Sequence, residues 1–170
     1  MNLKFLTRLS IMLAMVLVLS AVEHTLPPLL PFFPGLTLGL ANVLVMYTVF
    51  FIGGKAAIGL SLLKALFVFL TRGAIAGLLS LSGGVSCVLL VIVLLRIFKD
   101  KISYITISVL SAITFNVGQL VAASFIVNLP GVLYYLPVAV LCSVVLGAIT
   151  GIVLKILLPV LNRADSARLY

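Results

Sequence analysis

Lys64 lies within the apolar stretch 55–70, and Arg72 follows it two helical turns later on the same face, which also carries Ala57, Ser61 and Val68. An ammonium in a bilayer core costs a few kcal/mol, so an intramembrane lysine marks a functional site whose partner has to be named. The candidate partners are few. Asp and Glu together number 3 in 170 residues, and two of them, Asp100 and Asp165, fall on the opposite side of the membrane or in the tail. That leaves Glu23, followed directly by His24. One carboxylate can pair with Lys64 or with Arg72, but it cannot neutralise both. The remaining positive charge either snorkels to the headgroups, which is easy for Arg72 and hard for Lys64, or predicts an anionic ligand, a carboxylate or phosphate, entering beside it.

Two amides complete the set. Asn116 and Gln119 are one turn apart and share a face with Ser108, Ala112 and Ala123. Lipid satisfies neither amide, so both must face protein, water or a solute. Packing between helices and binding of a solute both meet that requirement. No catalytic pattern accompanies these residues. There is no paired carboxylate, no Gly-Lys-Ser/Thr phosphate loop and no Cys/His cluster, so neither ATP hydrolysis nor metal-dependent diphosphate chemistry has its residues here. A non-enzymatic protein with no cofactor of its own is expected. Any uphill transport must be energised by partner subunits.

The elements that position these groups follow from composition. Hydrophobic residues make up 64% of the chain and charged residues 8%; the mean hydropathy is +1.44. That is too little polar surface for a water-soluble fold. The long apolar runs lack the alternation of barrel strands and read as about 20-residue helices. Six spans fit, at about 6–26, 35–53, 55–71, 74–96, 103–127 and 132–158, forming one integral membrane domain over 1–170. The expected fold is all-α, a polytopic six-transmembrane-helix bundle in the plasma membrane. The net charge of +8 is explained by topology rather than by nucleic acid. With both ends inside, Lys4, Arg8, Lys55, Arg96, Lys99, Lys101, Lys155, Arg163 and Arg168 are cytoplasmic and only Arg72 is outside. The basic start, apolar core and Ser20-Ala21 step also fit a leader peptide, but the apolar run is long and five spans follow, so it reads as the first span. Cys87 and Cys142 sit in apolar runs and read as small hydrophobes rather than a disulfide.

Between the first two spans, Pro27, Pro28, Pro31 and Pro34 interrupt an apolar segment and forbid a continuous helix. Such a segment is expected to tuck against the bundle mouth as a lid or re-entrant loop. Small residues mark helix contacts: Ser143, Gly147 and Gly151; Gly35, Gly39 and then Asn42; Ser80, Gly84 and Cys87; and Ser10 with Ala14.

The run 34–42 (PGLTLGLAN), the Gly53-Gly54-Lys55 turn, the Ser82-Gly83-Gly84 step and Asn116 with Gln119 together resemble the Gx transporter family, also called heptaprenyl diphosphate synthase component I. Through it the chain resembles the S components of energy-coupling factor (ECF) transporters. The resemblance spans nearly the whole chain. It implies a substrate-binding subunit whose six helices enclose an outward-facing cavity gated by the loop after the first helix. A small-xxx-small motif on that helix, matched here by Ser10 and Ala14, would dock a transmembrane scaffold protein driven by ATPase subunits. Substrate contacts would fall to Lys64, Arg72, Asn42, Asn116, Gln119, Glu23 and His24, for a small anionic metabolite such as a vitamin, flavin or isoprenoid precursor. The family more often has a basic residue at the position of Thr37 and arginine at that of Lys64. Its other name implies an alternative, a membrane accessory subunit of a prenyl diphosphate synthase or quinone-related system.

Overall fold

The computed structural model describes residues 3–25, 39–98, 102–126 and 130–166. Among the described residues the regular structure is entirely helical: α1 (Leu3–Thr25), α2 (Leu40–Phe51), α3 (Gly54–Arg72), α4 (Ala74–Phe98), α5 (Tyr104–Ile126), a 3₁₀ turn (Pro130–Tyr135) and α6 (Leu136–Ser166). Six helices were expected. Five are long and apolar enough to cross a membrane. The exception is α2, whose 12 residues rise only about 18 Å. Its expected start, residues 35–38, and the proline-rich segment lie outside the described residues, as does Thr37.

The short helix is the centre of the bundle. Ala41 and the run from Val43 to Val49 are all buried, because α2 packs against α1, α3, α4 and α6. A largely apolar helix is buried either by protein or by lipid, and α2, too short to span, is buried by its neighbours. Its interior cluster joins Leu44, Met46 and Tyr47 to Val16, Ala57, Val91 and Leu154. The periphery is equally apolar. Leu62, Leu66 and Leu70 on α3 and Leu141, Val145 and Ile152 on α6 are exposed. The polar groups are inside instead: among the described residues Glu23, Lys64, Asn116 and eight serines and threonines are buried. Hydrocarbon outside and polar groups inside is the arrangement that lipid as solvent selects.

Glycines set the helix spacing. A Cβ on Gly147 would fall 2.6 Å from Val109 Cα, and one on Gly151 would fall 2.9 Å from Ile105 Cα. The 143/147/151 stripe is therefore the α5–α6 contact. On α4, a Cβ at Gly84 would collide with the Ser61 Oγ. Small residues allow this approach, and dispersion and interhelical hydrogen bonds stabilise it. Gly73 alone links α3 to α4 at φ +91°, a backbone that a side chain would strain. The turn ends at Tyr135, so the last helix begins at Leu136, four residues after the start of the expected span, and runs through Pro159 to Ser166.

Candidate functional site

Lys64 points inward from the middle of α3, with 6% of its surface exposed. Its Nζ donates to the Asn42 Oδ1 on α2 at 2.8 Å and lies 5.5 Å from the centroid of the Phe115 ring on α5. The ammonium has donors only, so it fixes the Asn42 amide with oxygen toward the lysine. The amide and the ring face replace part of the lost hydration shell.

Glu23 is the carboxylate that acts on Lys64, and it does so by charge; the direct hydrogen bond of Lys64 goes to Asn42. The Glu23 Oε1 accepts the backbone N–H of Leu40, with Gly39 and Ala41 N–H groups also directed at the carboxylate. These are the first amides of α2, which have no partner within the helix, and the helix dipole favours a negative charge there. Gly39 makes the cap possible by adopting φ +74°, while its carbonyl accepts the Asn42 N–H at 3.0 Å. Glu23 therefore ties the end of α1 to the start of α2, across the ends of segment 26–38.

Beyond Asn42 a cavity of about 20 Å³ lies between α2, α4, α5 and α6. Its polar lining comes from Asn42, Ser108, Ser111, Asn116 and Thr150, and its apolar lining includes Met46 and Phe115. Asn116 Nδ2 donates to Ser143 Oγ at 2.8 Å. Ser143 passes its own hydrogen to the Ala139 carbonyl at 2.6 Å, which fixes the Asn116 amide with oxygen free for the cavity. Ser108 and Thr150 share a hydrogen bond at 2.9 Å. The lining carries no Lys, Arg, Asp, Glu or His.

The expected site residues divide accordingly. Lys64, Asn42, Glu23 and Asn116 come together, Lys64 touching two residues of the cavity wall. Gln119 does not join them: it turns toward α4, where its Cγ is the atom a Gly83 side chain would strike at 2.8 Å. Arg72 is the exposed last residue of α3, placed where a cation complements the helix dipole. The His24 side chain lies outside the described residues. Ser10 and Ala14 are both on the outward face of α1, with Ile11 and Val18. Phe115, Ser111 and Thr150 were not foreseen. Two of them could have been read from hydroxyls spaced three residues from a marked position, Ser111 from Ser108 and Thr150 from Gly147.

A bundle with hydrocarbon outside and buried charge, amides and hydroxyls around an internal cavity defines a multi-pass membrane protein. A profile described as heptaprenyl diphosphate synthase component I matches residues 12–157. The chain belongs to that family. A solved structure titled "Structure and mechanism of the S component of a bacterial ECF transporter" is similar over 98% of this chain and 97% of that one, at 26% identity and a TM-score of 0.64. No curated protein matches the chain. The helical bundle therefore has the S-component fold.

Proposed function

We propose that this protein is the substrate-binding membrane subunit of an ECF-like importer, and that it captures a small anionic metabolite from outside the cell. The observation that carries this reading is Lys64: a buried ammonium, bonded to one cavity residue and stacked on another, coupled by charge to a carboxylate that sits on a helix N-terminus. A solute carboxylate or phosphate offers Lys64 and the α2 amides the same chemistry as Glu23. When the solute takes that place, Glu23 is released from the start of α2, and the two ends of segment 26–38 are uncoupled. Binding and the tie between α1 and α2 then share one contact. The energy for release inside comes from partner ATPases through a transmembrane scaffold, docked on the outward face of α1 at Ser10 and Ala14.

The family description favours a second reading, a non-transporting membrane accessory of a prenyl diphosphate synthase. Among the described residues no group of three or more His, Cys, Asp or Glu could hold a metal, so in that role this chain would anchor or feed a partner enzyme. Lys64→Met tests the first reading. Small molecules released on denaturing the purified wild-type protein are identified by mass spectrometry, and the affinity for the released anion is then measured for both proteins. Loss of binding by a folded, membrane-inserted variant is expected. Unchanged affinity would rule out Lys64 as the anion site.

A further inference from the structure

The Ser111 hydroxyl is 2% exposed and has no hydrogen-bond partner. The Cys87 thiol is close enough to interact with it but forms no hydrogen bond of ordinary geometry. A buried hydroxyl without a partner costs stability, and replacement by alanine would remove that cost. Serines at contacts elsewhere in this bundle are bonded: Ser108 to Thr150, Ser143 to Ala139 and Asn116. Ser111 differs from them, and it opens on the cavity.

Two further groups face the same space with bonding capacity to spare. Asn42 uses its Oδ1 for Lys64, which leaves its NH₂ as a donor; Asn116 uses its NH₂ for Ser143, which leaves its Oδ1 as an acceptor. The lining has no ionised side chain, and a volume of about 20 Å³ admits one water-sized group. The one ammonium that reaches this wall, Lys64, is already bonded to Asn42 and offset by Glu23, so the space suits a neutral group better than a second anion.

We infer that the cavity at Ser111 is a subsite for an uncharged terminus of the solute that both donates and accepts hydrogen bonds, a hydroxyl or a primary amide, while the solute's acidic group stays outward at Lys64. The inference rests on the reading of this chain as a substrate-binding subunit and adds the second half of the solute. It makes Ser111 a specificity residue: an analogue with a methyl in place of the hydroxyl leaves Ser111, Asn42 and Asn116 unpaired and is rejected.

Cys87 is a native reporter in the same wall. In lipid nanodiscs, protein carrying Cys142→Ala is treated with 2-hydroxyethyl, n-propyl or 2-sulfonatoethyl methanethiosulfonate. Each reagent converts the thiolate to a mixed disulfide and releases methanesulfinate. Rates are followed by intact mass and normalised to each reagent's rate with 2-mercaptoethanol. The hydroxyethyl reagent is expected to exceed the isosteric propyl reagent by about fivefold, the value of one net hydrogen bond, and the sulfonate to be slowest. Ser111→Ala should remove the hydroxyethyl advantage while its melting temperature, followed by circular dichroism, holds or rises. Equal hydroxyethyl and propyl rates, a preference that survives Ser111→Ala, or labelling no faster than at Leu120→Cys in a cysteine-free background would each overturn the subsite. So would a marked fall in melting temperature, which would make Ser111 a structural residue. If labelling fails in any of these ways while the ATPase partners still co-purify, the subsite is wrong and the importer reading stands.

Discussion

Glu23 and Lys64 are linked by charge without a shared hydrogen bond, and that separation makes their coupling measurable. Glu23→Gln removes the charge on α2's N-terminus and leaves the Lys64 ammonium buried beside a neutral amide. Lys64→Met removes the ammonium and leaves Glu23, 8% exposed, with only the α2 amides. Removing one member of a buried pair costs about 3–5 kcal/mol, because the other charge stays behind. Glu23 keeps its backbone donors and Lys64 keeps Asn42, so each single variant should fall below that range, at about 2–3 kcal/mol. The double variant buries no charge and should be no worse than either single variant. The coupling energy is then about 2 kcal/mol, under the roughly 4 kcal/mol that two charges in contact would reach at an effective dielectric of 20. At about 2–4 °C per kcal/mol for a chain of this length, each single variant melts about 4–12 °C lower. The double variant recovers one full increment relative to the additive sum. Circular dichroism in one fixed detergent measures all four proteins. Additivity within about 0.5 kcal/mol would refute the link between Glu23 and the buried lysine.

Helix spacing gives a matched pair. Gly147→Ala should destabilise by about 1–3 kcal/mol, since its Cβ meets the Val109 backbone at 2.6 Å. Gly59→Ala, with nothing within 4 Å, should be neutral or stabilising by up to about 1 kcal/mol; thermal melts compare them, and the reverse order would contradict the α5–α6 contact. For orientation, a membrane-impermeant maleimide added to intact cells should label Thr71→Cys and spare Lys55→Cys in a cysteine-free background. Labelling of Lys55→Cys alone would invert the topology. On α1, Ala14→Leu lies on an outward face, so melting should shift by less than about 2 °C while recovery of co-purifying ATPases falls severalfold. An unchanged yield would move the docking surface elsewhere.

Much of the site was legible because lipid makes polar residues conspicuous. Lys64, Glu23, Asn42 and Asn116 stand out in a chain with 8% charged residues, and helical spacing puts Lys64 on an inward face. The 143/147/151 stripe was legible for the same reason, since small residues repeat where backbones touch. Gln119 was not, because a three-residue step turns it 60° from Asn116 on an ideal helix, enough to pass from the α6 side to the α4 side. Arg72 shares its face with Lys64 but not its depth, and depth is set by the helix end at Gly73. Nor was Lys64's immediate partner. Counting charges pairs it with Glu23, whereas the cap on α2 draws the carboxylate to backbone amides and leaves the hydrogen bond to a neutral amide. The brevity of α2 was hidden because apolar residues on both sides of its start give no hydropathy boundary.

The central claim is that this chain captures a solute for an ATP-driven importer. It is tested most directly by isolating the tagged protein from its own cells in mild detergent and identifying both proteins and small molecules by mass spectrometry. The expected recovery is a transmembrane scaffold and ATPase subunits, together with a small anion absent from Lys64→Met. Recovery of a soluble prenyl diphosphate synthase, with no ATPase and no bound anion, would contradict it.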